Sequence, residues 1–160
     1  MRRVTLALVV AVAVAGCDLP RAPTAPSAPT ADVPSREGVV AYARRYVELA
    51  WVGGPEHVFH GVDCSGLVSR SWRLPRKVST RELAAMSVKL ADARDLLPGD
   101  VLNKSNGHVL LFVTFTDATR TRARVIEAGA WDGRAWRVVE SEYALEALAA
   151  TPSKRREMTR

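Results

Sequence analysis

With 160 residues, 48% hydrophobic and 25% charged, the chain has the composition of one globular domain and too little length for two sizeable ones. Its 9 Pro, 10 Gly and 2 Cys exclude collagen and a disulfide scaffold, and no heptad pattern or longer internal repeat is present. The formal net charge of +6 is spread along the sequence, which gives solubility and a mild attraction to polyanions rather than a nucleic-acid binder's dense basic patch.

The first sixteen residues stand apart from the fold. Arg2 and Arg3 precede an apolar run of about thirteen residues ending at Gly16, the length of a signal-peptide core and too short to span a bilayer. The run closes in Val14-Ala15-Gly16-Cys17, which looks like a bacterial lipoprotein box with Cys17 as the lipidated residue. Acyl chains on Cys17 would hold the protein at a membrane on the extracytoplasmic side. Residues 17–34 then alternate Pro, Ala, Thr and Ser, a composition that buries no core and serves as an extended tether. The folded unit is residues 35–160, in which Cys64 is the sole thiol.

Helices come first in this unit. Ser35 suits an N-cap, and Val39, Ala43, Tyr46 and Ala50 fall on one helical stripe that ends before Gly53-Gly54. A second helix starts near Cys64 and carries Leu67, Val68 and Trp72, while Ser79 and Glu82 have capping-box spacing ahead of Leu83 and Met86. After the Pro98-Gly99-Asp100 turn the apolar period changes to two. Strands are expected at Val101–Lys104, His108–Thr116, Arg122–Ala128 and Arg134–Ser141, with short turns that favour antiparallel neighbours. Helices followed by an antiparallel sheet make the fold class α+β.

Three pieces carry chemistry. Asp63-Cys64-Ser65-Gly66 sets a thiol at a helix start, where free N–H groups and the positive dipole end suit a nucleophilic sulfur. Gly107-His108-Val109 sets an imidazole at the head of a strand. Glu127 lies on the apolar face of its strand with Ala123 and Val125, where a carboxylate needs a partner. A hairpin turning near Asp117–Arg120 brings Glu127 close to His108. Thiol, imidazole and acid then form a nucleophile, base and orienter set.

The order DCSGLVSRSW, LLPGDVL, GHVLLF resembles the NlpC-type papain-like cell-wall peptidases, over roughly Val39–Glu140. The resemblance implies a papain-like core, with Cys64 as nucleophile and His108 as base; no cofactor and no metal are expected. It also implies hydrolysis of amide bonds in peptidoglycan stem peptides, often after D-glutamate. Cys preceding His separates the chain from the permuted lecithin:retinol-acyltransferase-like branch. Two positions depart from the family pattern. Its third polar residue is usually His, Asn or Gln, where this chain offers Glu127; and a Tyr often found three residues before its Gly-Gly is here Ala50, beside Trp51.

Trp51, Asp63 and Ser65 flank the thiol and are the expected substrate contacts, although Asp63 also suits a loop-closing acceptor. His57, His60 and Cys64 could suggest a metal cluster, but the intervening glycines argue against a rigid chelate. Arg70, Arg73, Arg76, Lys77 and Arg81 form a solvated basic face, with anionic wall polymer as the other reading. The sequence thus describes a monomeric, lipid-anchored cysteine amidohydrolase acting on cell-wall peptide, with no nucleic-acid partner. A catalytically silent wall-binding module, and an amidase or transpeptidase on another substrate, are the alternatives.

Overall fold

A computed structural model describes residues 33–51, 62–105, 107–129 and 136–158. The signal segment, Cys17, the tether, His57 and His60 lie outside the described residues. Helix α1 (Arg36–Arg44) begins at Ser35, whose side chain accepts from the Gly38 N–H as an N-cap should. It buries Val39, Val40 and Ala43 but stops short of Tyr46 and Ala50. The helical stripe therefore overstates the helix. Glu48 takes a left-handed φ of 72°, its N–H donates to Val138, and Leu49 accepts from the Val138 N–H. Ala50 then bridges to Arg137 in β fashion, so pairing with the sheet edge satisfies backbone groups that a longer helix would have claimed.

Helix α2 (Cys64–Ser71) and helix α3 (Thr80–Met86) follow the sequence closely. The capping box at α3 is complete: Ser79 accepts from the Glu82 N–H at 3.2 Å, and Glu82 accepts from the Ser79 N–H at 2.8 Å. In α2 the buried Ser69 and Ser71 hydroxyls donate to the carbonyls of Ser65 and Leu67, one turn back, so a polar helix can pack in a core without unsatisfied groups.

Six strands, β1 (Ser87–Lys89), β2 (Val101–Lys104), β3 (His108–Phe115), β4 (Arg122–Ala128), β5 (Val138–Ala144) and β6 (Thr151–Arg155), form one sheet ordered β1-β6-β2-β3-β4-β5. Every pairing is antiparallel. The expected strand 134–141 is displaced: β5 runs to Ala144 because all seven residues of β4 pair with it, from Ala128 opposite Val138 to Arg122 opposite Ala144. Residues 134 and 135 lie outside the described residues. Strands β1 and β6 were not expected from the sequence. The first follows a helix without a break, and the second, Thr-Pro-Ser-Lys-Arg, shows no apolar alternation.

Both faces of the sheet are covered. Val109, Leu111, Ile126 and Ala128 pack with Val39, Leu67, Val68 and Trp72 of the helical layer. Leu102, Leu110, Phe112 and Val125 pack on the other side with Leu90, Leu96 and Leu148. Burial on both faces explains why β3 reads as the continuous apolar run Val109–Val113. The Pro-Gly-Asp turn locks the layers together. Asp100, 1% exposed, pairs with Arg36 at 2.8 Å and accepts from the Leu97 N–H, while the Trp72 indole donates to the Gly99 carbonyl. A charge so deeply buried is tolerated because each carboxylate oxygen is partnered.

Candidate active site

The local sequence around Cys64 builds a tight helix start. Asp63 is the N-cap of α2: its carboxylate accepts from the Gly66 N–H at 2.7 Å and from the Ser65 hydroxyl at 3.2 Å. The same carboxylate forms an ion pair with Lys77. Gly66 is required by this closeness, since a Cβ there would stand 3.0 Å from both the Asp63 carboxylate and the Val62 side chain. Cys64 is the first helical residue, half-buried against the helical layer, with its thiol free of any disulfide. The Asp-Cys-Ser-Gly string is thus a cap, a reactive group, a buried hydroxyl and a clearance.

His108 opens β3, held there by the hairpin in which Gly107 donates to the Lys104 carbonyl and Lys104 pairs across from His108. Its ring Nε2 lies 2.7 Å from Glu127 Oε2, and the ring also hydrogen-bonds Cys64, for which Nδ1 is the nitrogen left. The turn at 117–121 forms as the sequence suggests, tied by Asp117, which accepts from the backbone N–H groups of Thr121 and Arg122. The β3–β4 register places Leu111 opposite Ile126, and a bulge between Phe112 and Thr114 absorbs the slip beyond. Glu127 is fully buried, on the side of β4 that carries Val125. One oxygen faces His108 and the other accepts from the Tyr143 hydroxyl at 2.7 Å. Three separate elements, α2, β3 and β4, therefore bring Cys64, His108 and Glu127 into one connected line.

The charge state of the ring follows from these neighbours. Burial, the largest single influence, disfavours the imidazolium, but hydrogen bonds and charge from Cys64 and Glu127 together outweigh it and raise the His108 pKa to about 9. Through neutral pH the ring is protonated, with Cys64 and Glu127 as its hydrogen-bond partners.

An open groove of about 620 Å³ runs past the thiol, lined by Trp51, Asp63, Cys64, Ser65, Lys77, Thr80 and Gly107 among others. All three expected substrate contacts border it, with different freedom. Trp51 stacks edge-on against Trp136, ring centres 5.1 Å apart, and Trp136 itself is 70% exposed. Ser65 is buried, and Asp63 is engaged by its cap and by Lys77. Arg76 also lines the groove and is paired with Glu82 at 2.7 Å. Among the described residues no group of three or more His, Cys, Asp or Glu side chains is placed to hold a metal. Tyr143 is the site residue that the sequence did not disclose; it lies in a strand whose register could not be read.

No family model matches the chain, and no curated protein matches it. Solved structures do. NlpC1 from Trichomonas vaginalis matches 78% of this chain at 20% identity with a TM-score of 0.56. The peptidoglycan hydrolase RipB from Mycobacterium tuberculosis matches 77% of it, also at 20% identity, with a TM-score of 0.53. The matches cover 45% and 65% of those two chains, so this chain spans only part of the proteins it resembles. The likeness establishes the fold alone: an α+β core like those of NlpC1 and RipB, with N-terminal helices packed on an antiparallel sheet.

Proposed function

We propose that the chain is a cysteine-type hydrolase of peptidoglycan stem peptides, and the observation that carries this reading is the hydrogen-bonded line from Cys64 through His108 to a buried Glu127. The Cys64 sulfur, its proton held on the His108 ring, attacks the amide carbonyl. The backbone N–H groups at the start of α2 face the oxyanion that forms. His108 then protonates the leaving amine and the C–N bond breaks, leaving a thioester. A water molecule, giving its proton to His108, attacks that thioester, and the acid product departs, leaving the sulfur beside the protonated ring. Glu127 orients the ring and stabilises its cationic form. The solved neighbour described as a peptidoglycan hydrolase supports the choice of substrate. Purified protein incubated with peptidoglycan should release muropeptides with one new amine and one new carboxylate, identified by mass spectrometry. Unchanged peptidoglycan and unchanged synthetic stem peptides would sink the proposal.

The same proposal places the enzyme at the outer side of a bacterial membrane, held by lipid on Cys17 and spaced from it by residues 17–34. Cys17→Ala should move the protein from the membrane fraction to the soluble fraction while activity in solution is retained. Tight membrane association of that variant would remove the lipoprotein assignment.

A further inference from the structure

Glu127 sets a carboxylate at a place that is fully buried. A carboxylate there has two oxygens to satisfy. Oε2 is taken by His108, and Oε1 faces the side of the sheet that carries Val125, Leu110 and Phe112. Leaving a buried acceptor without a donor costs about 1–3 kcal/mol, more for a charged one. The donor comes from β5. Tyr143 sits across from Ala123, four residues before Glu127 on β4, and its side chain lies along the sheet so that the hydroxyl reaches Oε1 at 2.7 Å. Its ring packs in the layer opposite the helices, well away from the groove beside Cys64.

Resting on the Cys64–His108–Glu127 reading, we infer that Tyr143 is a positioning residue of this site, whose phenol holds the Glu127 carboxylate turned so that its other oxygen meets the His108 ring. That hydrogen bond fixes the carboxylate's rotation, which a single bond to the imidazole would leave free. The titratable and charged groups around His108 are Cys64 from α2, Glu127 from β4 and Lys104 across the β2–β3 hairpin. Of these, Glu127 accepts from the Tyr143 hydroxyl.

Tyr143→Phe in the full chain tests this. The His108 ring, followed by NMR, should titrate at lower pH than in the parent, and kcat should fall roughly tenfold with KM unchanged. In a Glu127→Gln background the same substitution should move the His108 titration no further. A merely structural tyrosine would lower the unfolding midpoint and leave the His108 titration where it was, which would overturn the inference. Should Tyr143→Phe fail to fold, the unmodified chain decides: the Tyr143 ring carbons should show an inflection at the pH where His108 titrates, and its absence would equally overturn it. The titration needs no turnover. Loss of the peptidase reading, seen as full activity in Cys64→Ala, is therefore separable from loss of the tyrosine's role.

Discussion

Cys64→Ala and Cys64→Ser are each expected to reduce hydrolysis by on the order of 10³-fold or more while the chain stays folded. The size of the effect follows from the covalent step. Alanine has nothing to attack with, and a serine hydroxyl at neutral pH is a far weaker nucleophile than a thiol in the same place. The fold should survive because the Cys64 side chain supports little of it. The helix start is held by Asp63 and the Gly66 N–H, and the thiol is half exposed to the groove. Two measurements are needed together. Muropeptide release reports the chemistry, and a thiol-reactive probe should label the parent at Cys64 and neither variant. Near-parental release by either variant would remove Cys64 as nucleophile. Loss of release accompanied by loss of the cooperative unfolding transition would mean that the side chain supports the fold more than its contacts show.

What could be read in the sequence divides along physical lines. Local chemistry was legible: Ser35 and Ser79 each cap the helix that their neighbours suggest, because a cap needs only residues within one turn of itself. The proximity of His108 and Glu127 was also legible, because a short hairpin ties their strands together and period-two alternation says which residues share a face. Features decided by distant segments were not. Helix α1 ends early because β5, nearly a hundred residues later, claims the backbone of Glu48 and Leu49. Strand β6 is placed between β1 and β2 by partners far away in sequence, and its Pro152 and Lys154 hide it from any propensity argument. Tyr143 escaped for the same reason. Its role depends on the β4–β5 register, and a displacement of a few residues in the expected strand was enough to lose it.

The second large effect belongs to Glu127, the buried carboxylate behind His108. Glu127→Gln keeps the side chain's shape and its capacity for hydrogen bonds but removes the charge next to His108. The imidazolium then loses its nearest carboxylate, so its pKa falls from about 9. The alkaline limb of the pH–rate profile, where the ring gives up the proton it needs for the leaving amine, should move to lower pH accordingly. Turnover at neutral pH should fall only modestly, since much of the ring remains protonated and oriented. Glu127→Ala should do worse, on the order of 10²-fold in kcat, because the ring loses both its charge partner and its orienter. It also leaves the Tyr143 hydroxyl without its carboxylate acceptor beside a cavity in the sheet, so its unfolding midpoint should drop as well. The order of the two variants is the discriminating result. Equal losses in Gln and Ala would mean that charge alone matters and orientation does not. An unchanged rate and pH profile in Glu127→Ala would reduce the site to Cys64 and His108, with the buried carboxylate serving the fold.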